Sequence, residues 1–443
     1  MSTSVKISAD QNASWLEQHA ELSLVGAELD WLNQQRKTAL ARFEEVGLPS
    51  IRDEQWRYTN LRTLKSQHYL IPSRGSNNTA SLPIELPATD NSRLVFVDGY
   101  FDAAHSSITN LKGLSFGSLN ASLSQTATAT KLEAVFGSCL SAEQHGFSAL
   151  NTAYCQDGYV LELDKNTVVD GVLEVYFVAT QAETVSHSRN LIIAGANSQC
   201  RIVERHIAND GLLYINNTVT EIVAGDNAHI DHYKIQQESD QAFHIGGVFI
   251  NQAADSEVKT HNVALSGLVT RNDVNCNLLG QGAHNEMNGL VLGKGRQHID
   301  NHTEVNHAVP NCTSDEYYKT VLDDQSRSVF RGRIIVAQDA QLTNADQQNN
   351  NLLLSKTAEA DTKPQLEIYA DDVKCSHGAT VGQLDPNSLF YLQSRGIDTE
   401  SANALLTFAF ANEVIDRVKV DAIRKELTQT IAGELLSDLE ELI

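Results

Sequence analysis

LIIAGANSQCRIVERHIANDGLLYINNTVTEIVAGDNAHIDHYKIQQ (191–237) carries two turns of the same make, AGANSQ at 194 and AGDNAH at 224, each reached through a short apolar, β-branched run. Similar turns return as QAADSE at 252, GQGAHN at 280, AVPNCT at 308, AQDAQL at 337 and ADDVKC at 370. With one residue of slack, the small or apolar residue closing each turn is Ser198, Ala228, Ser256, Ala283, Cys312, Ala340 and Val373, at intervals of 30, 28, 27, 29, 28 and 33. A near-constant period of about 29 residues marks stacked units, and units made only of strand and turn stack as a β-solenoid. Aromatic residues make up 6% of the chain, which suits coils packed one strand apart around Val, Ile and Ala. An ordinary β fold with frequent turns remains open on pattern alone, because AVPNCT fits poorly and the last interval is long.

The strand-like runs extend from Leu94-Val95-Phe96-Val97 through Val160-Leu161-Glu162-Leu163 and Val248-Phe249-Ile250 to Arg333-Ile334-Ile335-Val336. Before them, Trp15, His19, Leu22, Val25, Leu29 and Leu32 recur at helical spacing, and a second helical run, 34–45, stops at Gly47 with Pro49 beyond it. SRGSNNTASLPIELPAT (73–89) reads as an exposed linker. From Asp398 a helix with an apolar face of Ala402, Leu405, Leu406, Ala409, Phe410, Val414, Val418 and Val420 is expected, capped by Asp398 or Thr399. A last stretch repeats the pattern with Leu427, Ile431, Leu435, Leu436, Leu439 and Leu442. Such a face packs on its own core or docks a partner. The expected organisation is therefore an N-terminal helical domain (1–72), a linker (73–92), a β-helix core (93–388) and a C-terminal helical domain (389–443), mainly β overall.

The chain has 443 residues and a formal net charge of -23, which repels a phosphate backbone and excludes nucleic acid as a natural partner. No run approaches the roughly 18 apolar residues of a membrane span, and MSTSVKISADQ lacks the apolar core of a secretory signal. The six cysteines form no CxxC pair, so neither a disulfide framework nor a structural zinc site is suggested and a cytoplasmic location is expected.

Several chemistries drop out. GKGRQ at 293 is no phosphate loop, and HExxH and GxGxxG are absent. GLSFG at 113 matches a nucleophile elbow in letters, without the strand–turn–helix setting. His298, His302 and His307 lie near Asp300 and Glu304, but surface and core roles explain them better than a metal. The informative stretch is ADDVKCSHGATVGQLDP (370–386). On a strand, Cys375 and His377 emerge on one face, pairing a soft thiolate with an imidazole, both competent toward iron or a cluster. An imidazolium neighbour would also lower the thiol's pKa, and Gly378 denies the pair side-chain cover. Against this, Cys375 continues an inward column of Cys200, Ile230, Val258 and Leu342, with Asn285 and Ser314 as weaker members. On spacing alone the core reading is the better one.

The segment 331–397 closely resembles the signature of the SufB/SufD family, components of the Suf iron-sulfur cluster assembly machine. Gln347, Asn350, Leu352-Leu353-Leu354-Ser355, Pro364, Leu366-Glu367-Ile368, Asp372-Val373-Lys374-Cys375-Ser376-His377-Gly378-Ala379 and Ser394-Arg395-Gly396 carry the resemblance. DEQWRYTNL (53–61) and KTVLDDQSRSVFRGRI (319–334) extend it more loosely, and the length and helical start look like the shorter, SufD-type branch. The resemblance implies a right-handed parallel β-helix between helical domains. It implies a scaffold without ATPase activity of its own, paired with a SufB-like paralogue and a SufC-type ABC ATPase that supplies the missing phosphate chemistry. It further implies that iron or a nascent iron-sulfur cluster is held near the paralogue interface by His377, with Cys375 beside it. The ATPase would dock about 390–418, with Phe390, Tyr391, Leu392, Arg395, Gly396, Leu405, Leu406 and Phe410 as the expected contacts. Reduced flavin is associated with complexes of this family, though no residue here is assigned to it. A homodimer in the partner's absence is left open. Two rivals stand beside this reading: a purely structural partner that ligates nothing, and a β-helix enzyme acting on carbohydrate. The latter needs stacked carboxylates. Aligning the turns gives His232, Thr260, Met287, Glu316, Asn344 and His377 in one column, which is no carboxylate ladder.

Overall fold

The computed structural model describes residues 24–73, 91–140 and 146–435, together with Leu82, Leu86, Pro87 and Thr89. Its strands run β1 (Arg93–Val97), β2 (Tyr100–Phe101), β3 (Leu114–Ser118), β4 (Tyr159–Leu163), β5 (Val168–Ala179), β6 (Thr184–Ala194), β7 (Gln199–Ala208), β8 (Tyr214–Ala224), β9 (His229–Gln237) and β10 (Phe243–Gln252). They continue as β11 (Glu257–Ala264), β12 (Val269–Leu278), β13 (His284–Gly293), β14 (His298–His307), β15 (Thr313–Leu322), β16 (Arg327–Val336), β17 (Asn344–Leu353), β18 (Glu359–Ile368) and β19 (Lys374–Gly382). From β6 onward each strand pairs in parallel with the strand two places before it, so odd and even strands build two separate sheets. This is a β-solenoid, as the turn period predicts.

The turns repeat for a backbone reason. Asn197, Asn227, Asp255 and Asn311 take left-handed φ of 54° to 62°, a conformation that Asn and Asp tolerate better than other side chains. Each of these residues donates its N–H to the turn of the next coil, at 2.8 to 3.0 Å, and Asn166, Asn197 and Asn227 join side chains in a ladder at 2.9 Å. The residue after each left-handed position is Ser198, Ala228, Ser256 and Cys312, four of the closing residues expected from the sequence. The unit at 337 departs. There the turn is doubled, the left-handed residue is Leu342 (φ 61°), and its N–H reaches Asp372 O at 2.7 Å. Ala340 is therefore not the closing residue, and counting from it falls three residues short. The structure stacks Ala345 on Cys375 and Gln347 on His377, in place of the expected Leu342 and Asn344.

Inward side chains form the lumen: Leu161, Ile192, Cys200, Ile230, Val258, Cys276, Met287 and Phe330 belong to one apolar cluster. Outer faces are covered from both chain ends. α1 (Asp30–Val46) stops at Gly47 (φ 63°), and α2 (Arg62–Lys65) follows the segment holding Trp56, which is buried beneath Arg271 with the guanidinium carbon 4.6 Å from its ring centre. Of the first expected helix, Trp15, His19 and Leu22 lie outside the described residues, whereas Val25 sits in a turn broken by Gly26 (φ 61°). Three helices not expected from the sequence interrupt the early coils: α3 (Leu119–Leu123), α4 (Thr126–Val135) and α5 (Gly146–Tyr154). α5 is buried on all sides, and its polar residues Asn151 and Thr152 accept from the buried Arg189 rather than facing solvent.

After α6 (Pro386–Ser394), α7 (Thr399–Ile415) and α8 (Asp421–Leu435) cover the odd-numbered sheet. Asp398 caps α7 by accepting from Ser401 N at 2.9 Å. The packed face is Ala402, Ala411, Val414, Ile415 and Val418, while Ala409 is exposed, because the helix meets the sheet one residue round from the expected stripe. Of the last apolar run, Ile423, Leu427 and Ile431 are buried; Leu436, Leu439 and Leu442 lie outside the described residues. Salt bridges fasten the helices: Lys319 to Glu413 at 2.7 Å, Arg205 to Glu426 at 2.5 Å and Lys294 to Glu434 at 2.6 Å.

Two glycines test this packing in opposite directions. A Cβ on Gly289 would lie 2.1 Å from the buried Tyr318 ring, whereas one on Gly433 in α8 meets open space. Gly289→Ala should cost about 1–3 kcal/mol by overpacking. Gly433→Ala should gain up to about 1 kcal/mol through helix propensity. Urea denaturation midpoints check both.

Candidate functional site

The solenoid ends abruptly. β18 and β19 are the terminal strands of their sheets, each with one edge unpaired among the described residues. Leu342, Ile368, Tyr369 and Val381 are exposed apolar residues around this end. β19 is held by parallel pairing to β17, by Ser376 Oγ donating to Asp346, and by Thr380 Oγ1 donating to Asn350 at 2.9 Å.

Register fixes where the candidate ligands lie. On β17 the buried, inward residues are Ala345, Gln347, Asn349 and Asn351, and their partners on β19 are Cys375, His377, Ala379 and Val381. Cys375 and His377 thus share the inward face, as their spacing predicts, but no further coil covers them. The column through Cys375 runs Cys200, Ile230, Val258, Asn285, Ser314 and Ala345, and at its last member the lumen opens. Cys375 is half-buried against Ala345 and Val373, and His377 is exposed with no side-chain hydrogen bond among the described residues. A Cβ on Gly378 would meet nothing within 4 Å.

The other five cysteines are buried. Burial pushes the thiols of Cys139, Cys155 and Cys200 up to about 12. Burial also raises the Cys375 thiol, against a smaller lowering by the Ala345 backbone. Burial thus disfavours the Cys375 thiolate in this chain.

Beneath His377 the same column continues through Gln347 to Glu316, both fully enclosed. Glu316 accepts from Thr303 at 2.5 Å, and burial raises its carboxyl to about 7. Sequence reading listed Glu316 only as part of a column; its enclosure comes from packing between strands far apart in sequence.

Of the histidine and carboxylate group on β14, His302 Nε2 meets Asp300 Oδ1 at 3.0 Å, while Glu304 and His307 find other partners. Asp300 is held by Arg271 at 2.8 Å and by Thr59, placing a guanidinium where a cation would sit. Glu304 pairs with Arg333 at 3.2 Å, and His307 Nε2 lies 2.9 Å from Ser314. Ser115 of GLSFG lies inside β3 rather than at an elbow. Of the expected ATPase contacts, Phe390 and Tyr391 are 71% and 58% exposed, with Arg395 stacked over Tyr391 at 5.3 Å. Gly396 is exposed and turns the chain at φ 90°, and Leu392 is half-buried. Leu405, Leu406 and Phe410 are half-buried on α7, with Phe410 beneath the Lys319 ammonium at 4.1 Å.

A cleft of about 520 Å³ lies beside Trp56, and Arg42, Arg331 and Arg333 stand at its wall. All three are paired already, with Glu45, Glu54 and Glu367 at 2.8, 3.2 and 2.9 Å. A flavin phosphate would have to break those pairs, so these residues do not fit a flavin and no step is assigned to one. Among the described residues no helix is long and apolar enough to cross a membrane.

Comparison with known proteins identifies the class. Residues 177–410 match the SufBD core domain of the SUF system for FeS cluster assembly, and residues 9–175 match the SufBD protein N-terminal region. An iron-sulfur cluster assembly SufBD family protein of Synechocystis sp. is 32% identical over 437 residues, covering 96% of this chain and 95% of its own. The iron-sulfur cluster assembly protein SufD of Escherichia coli is 28% identical over 90% of this chain and 92% of its own. That of Bacillus subtilis is 25% identical over 97% and 99%.

Two outcomes follow from the geometry. Cys375 should be the one thiol alkylated quickly in the native chain, with a rate that climbs only above the ordinary thiol range near pH 8.5; Cys375→Ser should abolish the fast phase in a mass-spectrometric time course. For Glu316 the folded pKa lies above the unfolded one, so its charge destabilises progressively as pH rises from about 4.5 to 7. Glu316→Gln should therefore stabilise the chain at pH 8 relative to the parent, by up to about 3 kcal/mol, and much less at pH 5, in paired urea titrations.

Proposed function

The chain belongs to the SufB/SufD family and its role lies in iron-sulfur cluster assembly, from which we propose that it is the non-ATPase scaffold subunit of a Suf-type complex. Its open solenoid end meets a SufB-like paralogue, and its C-terminal helices dock a SufC-type ABC ATPase. The observation that carries this reading is the uncapped last coil. A stacked-coil protein ordinarily closes its ends, since an unpaired strand edge invites association. Here the edge, four exposed apolar side chains and two metal-competent groups occur together.

At that surface iron or a nascent cluster is the cargo, and His377 and Cys375 supply one or two of its ligands while the paralogue completes the set. His377 is exposed and free to reach across. Cys375 ligates once its proton leaves, which contact with iron promotes because coordination favours the thiolate. Two ligands of mixed softness hold the cargo loosely enough for transfer. Dimerisation of two ATPase subunits on ATP would pull on α6 and α7, and Glu413 on α7 and Arg417 in the turn after it lead that displacement into β15 through Lys319 at 2.7 Å and Asp315 at 2.5 Å. Such a movement shifts the edge strands relative to the paralogue.

The second reading, a structural partner that ligates nothing, is separated by changing the two residues singly. The complex with His377→Ala, still assembled, should carry less than about a tenth of the parent's iron and sulfide, and Cys375→Ala an intermediate amount. Normal loading of both variants after anaerobic reconstitution would favour the structural reading and remove these residues from the site.

A further inference from the structure

Buried histidines and carboxylates gather where β9 turns into β10. His206 on β7, Glu238 just after β9 and His244 on β10 are all buried, and each can offer a ligand atom with the three lying within 4.8 Å of one another. Their rings and carboxylate are already oriented. His244 Nδ1 is 2.6 Å from Glu238 Oε2, Asn216 Nδ2 is 2.9 Å from His206 Nδ1, and the two imidazoles meet edge to face at 4.9 Å. Glu238 also accepts from Tyr214 at 3.0 Å and from Asn216 at 3.1 Å.

The nitrogens on the far sides of both rings are unsatisfied. His206 Nε2 and His244 Nε2 make no hydrogen bond, the former with Glu204 Oε2 3.6 Å away, and an enclosed polar atom without a partner is costly. The bare backbone of Gly246 lets polar groups gather beside His244: a Cβ there would come within 2.6 Å of His244 Nε2, 2.1 Å of Lys234 Nζ and 3.2 Å of Asn272 Oδ1. The same stretch encloses two carboxylates, Glu204 and Glu238, against one ammonium, Lys234. Unlike Asp300, neither carboxylate is paired with a guanidinium in the salt bridges of the described residues.

We propose that His206, Glu238 and His244 hold one divalent first-row transition ion inside the solenoid. Two imidazoles and a carboxylate are a donor set suited to ferrous iron or zinc, and hydrogen-bonded partners such as Asn216 and Tyr214 are what orients such ligands. The ion enters as the coils close during folding and ties β7 to the corner between β9 and β10. It is independent of the cargo site, since none of its ligands lies on β19.

The test uses the full-length chain carrying Cys375→Ala and His377→Ala, refolded with Co2+ and then passed over a chelating resin. About one cobalt per chain should remain, with a visible d–d spectrum lacking a thiolate charge-transfer band, until the chain is unfolded. In the same background Glu238→Gln or His244→Gln, folded by circular dichroism, should retain at least about tenfold less. A parent that leaves the resin free of cobalt overturns the site, as does equal retention by the folded variants. Should both variants fail to fold, the parent's stoichiometry and spectrum decide the matter alone.

Discussion

Parallel register is the constraint on which everything else here depends. Because each strand pairs residue for residue with the strand one coil earlier, a side chain's environment is set by the residues above and below it in the stack rather than by its sequence neighbours. An inward Val, Ile or Cys is satisfied by another small apolar residue one coil away. The left-handed Asn and Asp positions repeat for the same cause, as each turn must donate its N–H to the next. The last coil has a neighbour on one side only. At β19 the inward column reaches solvent, and residues that would be ordinary lumen side chains elsewhere become the exposed or half-exposed Cys375 and His377.

This stacking also sorts the polar groups. Arg271 between Asp273 and Asp300, and Arg189 against Glu221, are buried ion pairs closed by several hydrogen bonds, and they explain why nearby histidines need not bind metal. Where β9 meets β10 the balance differs, with carboxylates and imidazoles but no guanidinium in that cluster. The two groupings thus differ in setting: Cys375 and His377 lie at the solenoid's open end, and His206, Glu238 and His244 are enclosed.

Much of the fold was readable because its signals are local. The turn period follows from Asn197, Asn227, Asp255 and Asn311, and the face shared by Cys375 and His377 follows from strand alternation. The doubled turn at Leu342 was hidden, since Ala340 has the right size and follows Asp339, a residue type that a left-handed position prefers, whereas leucine is not one. α5 was hidden because it spans nine residues and its polar side chains, Ser148, Asn151 and Thr152, are enclosed rather than exposed. The inward polar residues His232, Lys234 and Gln236 did leave a trace, alternating along HIDHYKIQQ, but their meeting with His206, Glu238 and His244 depends on how the coils stack. The role proposed for Cys375 and His377 rests on family resemblance, because spacing alone made Cys375 a core residue.

The central claim is that the open coil is where this chain meets its paralogue. Hydrogen–deuterium exchange of backbone amides measures it directly, comparing the chain alone with the chain in its assembled complex. The account predicts fast exchange at the free edges of β18 and β19 in the isolated chain and strong protection of the same amides, 359–382, in the complex. Unchanged exchange there, with new protection confined to other surfaces, would contradict it.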